Sequence, residues 1–154
     1  MRYHNHRAEP YFTFLKNGQK TIEGRIRKGW YRNVQPGDEI VVYNDKETDG
    51  IETLVGRVAK YRSIEDMLTH EPIKKMLPDV NSIDEGIRVY RKFYTPEQER
   101  NFGMVAIEVK VKLQGLNGLR PTRSARKYRG AATNLPPSNV VGLSQIQPPD
   151  GRNC

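Results

Sequence analysis

The sequence predicts an α+β fold: a small, mostly antiparallel β-barrel flanked by short helices and followed by a disordered C-terminal tail. Three strand-like segments follow one another at close spacing with polar turns between them, and a fourth comes after a run of short helical segments. Strands joined by short polar turns are typical of antiparallel sheets, whereas strands that alternate with helices indicate parallel βαβ units. The order of helix, three strands, helical insertion and strand therefore favours a small barrel.

The first helix is predicted directly after the polar residues 1–8, which form no predicted element. Pro10 suits the first turn of a helix, because its backbone angle is already helical and it has no N–H to leave unpaired. The apolar residues that follow it repeat at the three- and four-residue spacing of one helix face. Gly18 then fits a helix end, so the helix is expected to stop there.

The first strand is predicted from about Thr21 to Arg27, where the side chains alternate between two faces. One face holds Ile22, Gly24 and Ile26. The other face holds Thr21, Glu23, Arg25 and Arg27. A charged row of this kind is either a solvated strand edge or the floor of a cleft for an anionic ligand, and alternation alone leaves both open.

The segment after this strand, residues 28–34, is predicted to be a loop that carries two aromatic residues. Trp30 and Tyr31 stand between Lys28 and Arg32. Aromatic rings among cations are typical of surfaces on which nucleobases stack. An equally good interpretation is that Trp30 covers one end of the core.

The remaining elements are indicated by turn residues, helix caps and alternation. A Pro-Gly-Asp turn at 36–38 leads into a strand at 39–43, and further strands are predicted at 53–62 and 104–111. The helical segments are predicted to begin at Ser63, after Pro72, at a capping box formed by Ser82 and Glu85, and at Thr95.

Residues 114–154 differ from the rest of the chain in composition. They hold six basic side chains and one acidic side chain, with Gly, Pro, Ser and Asn throughout and no run of core residues. This composition predicts a disordered tail. Five cations of its arginine-rich block are candidate phosphate contacts: Arg120, Arg123, Arg126, Lys127 and Arg129.

Composition and charge limit the classes of partner. The 154 residues suffice for one domain with a real core, and the net charge of +8 favours polyanions such as nucleic acid. No apolar run approaches the roughly 18 residues of a membrane helix, and the N-terminal residues are polar, so we expect no membrane partner and no signal segment. A monomer is the default expectation.

Cysteine and histidine usage indicates neither a disulfide nor a metal site. Cys154 is the single cysteine, so an internal disulfide is excluded and a cytoplasmic or nuclear location is expected. His4 and His6 lack the cysteine or carboxylate spacing that completes a metal site. We therefore expect plain surface histidines, and neither a metal nor a cofactor.

The segment Gly18-x-Lys20-x-x-Glu23-x-Arg25 resembles the Gly-x-Lys-x-x-Glu-x-Arg signature of ASCH domains, small relatives of the PUA domain. The order around it is similar as well: a short helix precedes the motif, a Pro-Gly-Asp turn follows it, and a late strand begins Gly-Met-Val-Ala-Ile. The resemblance covers roughly residues 9–113. It implies a PUA-like barrel at residues 1–113, with the tail at 114–154 as a separate unit.

The resemblance also implies RNA binding, or chemistry on a modified nucleoside, in a cleft beside the barrel. One branch of the family resembles amidohydrolases that remove the acetyl group from N4-acetylcytidine, using a lysine, a threonine three residues later and a distant glutamate. Lys20 matches the lysine, and Glu85 is the candidate for the distant acid. Glu23 occupies the threonine position, and it cannot serve as that nucleophile, which favours binding over hydrolysis.

Two hypotheses of function follow. The favoured one is an RNA- or nucleotide-binding module that uses a charged cleft beside the barrel, and its alternative is an amidohydrolase with Lys20 and Glu85 as the catalytic pair. The predicted ligand-binding residues are Lys20, Glu23, Arg25, Arg27, Trp30 and Tyr31.

Overall fold

The computed structural model describes residues 1–113, so the predicted tail lies outside the described residues. The strands are β1 (Arg2–Arg7), β2 (Ile22–Ile26), β3 (Glu39–Asn44), β4 (Gly50–Tyr61) and β5 (Met104–Val111). The α-helices are α1 (Tyr11–Lys16), α2 (Ile64–His70), α3 (Ile73–Met76), α4 (Ile83–Arg91) and α5 (Pro96–Phe102). A single 3₁₀ turn, Gly29–Arg32, occupies the predicted loop.

The described strands form one sheet in the order β1-β3-β4-β5-β2, curled into a half-barrel. β1 runs parallel to β3, and the other neighbouring strands are antiparallel. Short helices pack against the sheet. The prediction of an α+β fold with a mostly antiparallel barrel and flanking helices is therefore confirmed. Within residues 1–113, no helix is both long enough and apolar enough to cross a membrane.

Strand β2 stands between two clusters of buried apolar residues. Ile22 and Ile26 belong to a cluster that includes residues of α2, α3 and α4. A second cluster joins α1 to β3, β4 and β5. The alternation seen in the sequence is thus real: the apolar face of β2 packs against the helices, and its charged face points the opposite way.

Three predicted helix starts are confirmed, and one differs in detail. The Ser63 hydroxyl accepts a hydrogen bond from the N–H of Asp66, and Thr95 forms a complete capping box with Gln98. At α4 the Ser82 hydroxyl accepts from the N–H of Glu85, but the Glu85 carboxylate accepts from the N–H of Asn81. The predicted reciprocal bond to Ser82 is therefore replaced by one to the residue before the cap.

The expectation that residues 1–8 form no element was wrong, because they contain β1. Its residues Arg2 to Arg7 pair in register with residues 39–44 of β3. Side chains along β1 alternate between exposed and half-buried, with His4 and His6 on the exposed face as expected. Polar residue types conceal this strand, and its parallel neighbour is too distant in the sequence for a local pattern to reveal it.

Candidate functional site

A cavity of about 190 Å³ lies between the end of β1, strand β2 and the end of α4. Because β1 and β2 are the two end strands of the sheet and do not pair, the cavity occupies the gap in the half-barrel, which we call the seam. Its charged or polar lining residues are His6, Arg7, Lys20, Glu23 and Arg25. The rest of the lining is Ala8, Tyr11, Gly24, Leu77, Val89, Tyr90, Phe93 and Tyr94.

The carboxylate of Glu23 is the centre of the charged lining. Glu23 is only 5% exposed, and its Oε2 lies 2.5 Å from Nη2 of Arg7 and 3.8 Å from Nε of Arg25. Its Oε1 lies 3.8 Å from Nζ of Lys20. Burial acts to raise the pKa of Glu23, but the cations outweigh it and lower the pKa, Arg7 most strongly. Glu23 is therefore an ionised, buried carboxylate.

Lys20 stands directly before β2 and is 3% exposed. Its Nζ donates to the backbone oxygens of Ile22, at 2.7 Å, and Met76, at 2.6 Å, so that it ties α3 to β2. Burial lowers the pKa of Lys20 to about 8, although the charge of Glu23 acts to raise it. An ammonium group with this pKa releases its proton more readily than an exposed lysine does.

Arg25 is held by aromatic groups on the far side of Glu23. Its Cζ lies 5.5 Å from the centre of the Tyr31 ring, and its Nη1 lies 3.5 Å from the hydroxyl oxygen of Tyr94. Burial acts to lower the pKa of Arg25, but the charge of Glu23 outweighs it and raises the pKa. The guanidinium is therefore permanently charged and fixed in position before any ligand arrives.

Three buried polar atoms of this cluster have no hydrogen-bond partner in residues 1–113: Nε of Arg7, Oε1 of Glu23 and Nε of Arg25. Buried polar atoms in folded proteins are nearly always hydrogen-bonded, so each exception calls for an explanation. Three exceptions on adjacent side chains that line one cavity are the pattern expected of a polar binding site.

The wall opposite the charged cluster is aromatic. Tyr90 and Tyr94 stack with ring centres 6.4 Å apart, and Phe93 and Tyr11 line the same cavity. Gly24 allows Tyr90 to approach the strand, since a Cβ at that position would lie 2.3 Å from the Tyr90 hydroxyl oxygen. The cavity thus places charged hydrogen-bonding groups on one side and ring faces on the other.

The structure brings three of the predicted ligand-binding residues together and separates the others. Lys20, Glu23 and Arg25 line the cavity. Tyr31 lies behind Arg25 and holds it, without lining the cavity. Arg27 is half-buried on the same face of β2 but is not among the lining residues.

Trp30 is also absent from the cavity lining. Its ring stacks on Tyr3 with centres 4.5 Å apart and lies 3.8 Å from the ring centre of Tyr31. It packs against the second buried cluster. Of the two interpretations of Trp30, covering the core fits this packing better than stacking on a ligand, because neighbouring rings already occupy much of its surface.

The structure does not bring Glu85 and Lys20 together. Glu85 lines a neighbouring surface depression with Arg88 and Lys92, and its carboxylate is bonded to the N–H of Asn81. The carboxylate that faces Lys20 is that of Glu23. The Lys20–Glu85 pair of the hydrolase hypothesis therefore does not form in this structure.

Sequence reasoning missed Arg7, the nearest partner of Glu23. It lies in the segment that was expected to form no element. Alternation along residues 2–7 placed Arg7 on the same face as Tyr3, but no local signal connects it to a residue of another strand. In the described part of the chain, no three His, Cys, Asp or Glu side chains are grouped so that they could share a metal ion.

The sequence matches the family model of the ASCH domain over residues 7–112. None of the curated proteins searched matches the chain.

Several solved structures are similar in fold. The crystal structure of hypothetical protein PH0355 is 36% identical, with a TM-score of 0.65, and the match covers 73% of this chain and 100% of that one. The solution NMR structure of protein PF0455 from Pyrococcus furiosus is 35% identical, with a TM-score of 0.59 and coverage of 72% and 97%. An ASCH domain crystal structure from Lactobacillus crispatus JV V101 is 16% identical, with a TM-score of 0.43 and coverage of 71% and 79%.

Proposed function

The chain belongs to the ASCH domain family, which has a PUA-like fold, and from this premise we propose that the protein is an RNA- or nucleotide-binding module whose cavity takes a single nucleobase. The observation that carries the proposal is the buried cluster of Arg7, Glu23 and Arg25. Its three unpartnered polar atoms belong to side chains that line a cavity with an aromatic wall.

The size of the cavity supports a ligand group of about one base. Pockets for drug-sized molecules are usually about 300–1,000 Å³. At about 190 Å³, this cavity is smaller than that range. RNA-binding proteins commonly read single bases that are unstacked from their neighbours and inserted into such sites.

The chemistry of the two walls supports the same ligand. A carboxylate such as that of Glu23 accepts hydrogen bonds from base N–H groups, while arginine donates to base oxygen and nitrogen acceptors. A ring such as that of Tyr94 offers a face on which a base stacks. The three cations around Glu23 exceed its single negative charge, which favours a ligand that carries phosphate.

The proposal is tested by titrating the protein with the four nucleoside 5′-monophosphates and with a single-stranded RNA of ten nucleotides. Arg25→Ala is expected to weaken binding by about tenfold or more, because a charged hydrogen-bond donor is lost. Arg62→Ala is the charge-matched control, since Arg62 is exposed and does not line the cavity. If no probe binds, or if the two variants lose affinity equally, the proposal is wrong.

A second candidate is the hydrolysis of an acylated nucleoside such as N4-acetylcytidine. One observation favours it: burial brings the pKa of Lys20 to about 8, within reach of base chemistry near neutral pH. The carboxylate beside Lys20 is Glu23, so any acid partner would be Glu23 and not Glu85.

This candidate is tested by incubating the protein with N4-acetylcytidine and measuring the acetate released. The acyl C–N bond would break with addition of water, giving acetate and cytidine. Activity that is lost in Glu23→Gln and retained in Glu85→Gln would support a site at the seam. Absence of deacetylation by the unsubstituted protein would discard the candidate.

A further inference from the structure

Phe93 is the one exposed Phe, Tyr or Trp side chain in residues 1–113. It is 67% exposed although it lines the cavity, while its neighbours Tyr90 and Tyr94 are buried and half-buried. Among the large apolar side chains exposed in the described part, only Met1 and Leu113 at its two ends are more exposed. Phe93 thus presents an uncovered ring at the mouth of the cavity.

Basic side chains lie beside this ring. Arg88 and Lys92 line the depression next to the cavity, and Val89 lines both. Within residues 1–113, neither Arg88 nor Lys92 takes part in an ion pair, whereas Arg91 is paired with Glu99. Asp79 and Glu85 line the same depression, but Glu85 is already bonded to a backbone N–H.

We propose that Phe93 stacks the nucleobase adjacent to the one in the cavity, and that Arg88 and Lys92 contact the phosphates of the same strand. The ligand of the site is then a single strand of RNA, two nucleotides or longer, and not a free nucleoside. This inference rests on the proposed function, because it requires a base in the cavity.

An exposed ring with free cations next to it suits a polynucleotide better than the other ligands this site would accept. A free nucleotide fills the cavity and leaves Phe93 uncovered. A strand offers a second base, whose ring face is matched by Phe93, and a second phosphate, whose charge is matched by Arg88 and Lys92. Stacking on an aromatic side chain is tolerant of base identity, so this position is expected to add affinity without sequence preference.

The test compares two probes on the full chain: the nucleoside 5′-monophosphate that binds best, and a single-stranded RNA of ten nucleotides with mixed sequence. Phe93→Ala is expected to weaken RNA binding about tenfold and to leave monophosphate binding within about twofold. Phe93→Trp is expected to retain RNA affinity, because it keeps a stacking face. Leu54→Ala, on β4 and outside the cavity lining, removes a similarly exposed apolar side chain and is expected to change neither.

The cations are tested by the salt dependence of RNA binding. The double variant Arg88→Gln/Lys92→Gln is expected to lower the slope of log affinity against log salt by about 1.4, or about 0.7 for each phosphate that the protein no longer neutralises. Lys46→Gln/Lys60→Gln removes two exposed cations that do not line the cavity and serves as the control.

The outcomes separate the two proposals. Phe93→Ala that leaves RNA affinity unchanged, or that weakens both probes equally, contradicts the role of Phe93. An unsubstituted protein that binds neither probe contradicts the nucleobase site itself. Thermal unfolding of each variant shows whether a loss of binding reflects a loss of fold; because Phe93 is exposed, its replacement is expected to leave the melting temperature nearly unchanged.

Discussion

Arg7 and Glu23 form an ion pair across the seam, with Nη2 of Arg7 2.5 Å from Oε2 of Glu23. The two residues belong to β1 and β2, which stand at opposite ends of the strand order and share no backbone pairing. Both side chains are largely buried. This contact between side chains thus joins the two ends of the half-barrel, and it does so in the wall of the candidate binding site.

The first prediction is that breaking this pair destabilises the protein strongly. Arg7→Met keeps the aliphatic part of the side chain and removes its charge, which leaves the buried carboxylate of Glu23 without its closest partner. Loss of one member of a buried ion pair typically costs about 3–5 kcal/mol. Urea denaturation of the variant measures the change in the free energy of unfolding.

Arg2→Met is the control for this measurement. Arg2 lies on the same strand and pairs with Glu39 and Glu52 on the exposed surface. Exposed pairs contribute about 0–1 kcal/mol, so this substitution is expected to have a small effect. Equal losses of stability in the two variants would show that the pair across the seam has no special importance.

The second prediction concerns Lys20 and the dependence of stability on pH. The pKa of Lys20 is lowered by burial to about 8, from an ordinary value of 10.5. Between these two values the unfolded chain keeps a proton on Lys20 that the folded chain has released. Stability contributed by this group therefore rises with pH over that window, by a total of about 3 kcal/mol.

Lys20→Met isolates this contribution, because the other titrating groups are shared by both proteins. The variant is expected to be less stable near neutral pH, since the backbone oxygens of Ile22 and Met76 lose their donor. The informative quantity is the difference in free energy of unfolding between the two proteins at pH 7, 8, 9 and 10. Parallel curves over this range would mean that the pKa of Lys20 is not lowered.

The third prediction is that Gly24 cannot be enlarged without loss. A Cβ at Gly24 would lie 2.3 Å from the Tyr90 hydroxyl oxygen and 2.8 Å from the terminal methyl carbons of Met67 and Met76. Overpacking of this kind typically costs about 1–3 kcal/mol. Gly24→Ala is expected to lower stability by that amount and, because Gly24 and Tyr90 both line the cavity, to weaken ligand binding as well.

Two further variants show whether the Tyr90 hydroxyl is the cause. Gly24→Ala is expected to be less harmful in a Tyr90→Phe background, where the nearest atom is absent. Gly56→Ala is the control, because a Cβ there would have its nearest neighbour, the backbone oxygen of Glu108, at 3.8 Å. A Gly24→Ala protein as stable as Gly56→Ala would contradict the close packing.

The elements of the fold could largely be predicted because their signals are local. Alternation gave the two faces of β2, and the side-chain caps at Ser63 and Thr95 gave the starts of two helices. These signals act between residues that are neighbours in the sequence. Strand β1 escaped prediction since its stabilising partner is a parallel strand 37 positions further along the chain.

The site could be predicted only in part for a related reason. The spacing of Lys20, Glu23 and Arg25 placed three charges near one another, but whether a charged strand face is solvated or buried depends on what packs over it. Here that is the end of β1 and the last turn of α4, which belong to distant parts of the sequence. Glu85 illustrates the converse, because a correctly predicted helix start does not fix which surface its side chain faces.

The last prediction concerns the arginine-rich block of residues 114–154, whose proposed phosphate contacts lie outside the described residues. We propose that these cations add affinity for RNA without adding a preference for sequence. In the full chain, alanine replaces the five basic residues Arg120, Arg123, Arg126, Lys127 and Arg129. If all of them contact phosphate, the slope of log affinity against log salt is expected to fall by about 3.5 for single-stranded RNA.

A matched control keeps the number of substitutions and the length of the chain while leaving the charge unchanged. It replaces Thr122, Ser124, Thr133, Asn134 and Ser138 with alanine. Because binding to phosphate releases counterions and neutral substitutions do not alter that release, the control is expected to keep the slope of the unsubstituted protein. A smaller fall in the charge variant would mean that only some of the five cations bind phosphate. Equal slopes in all three proteins would show that the block does not bind phosphate, so that RNA affinity would have to come from residues 1–113 alone.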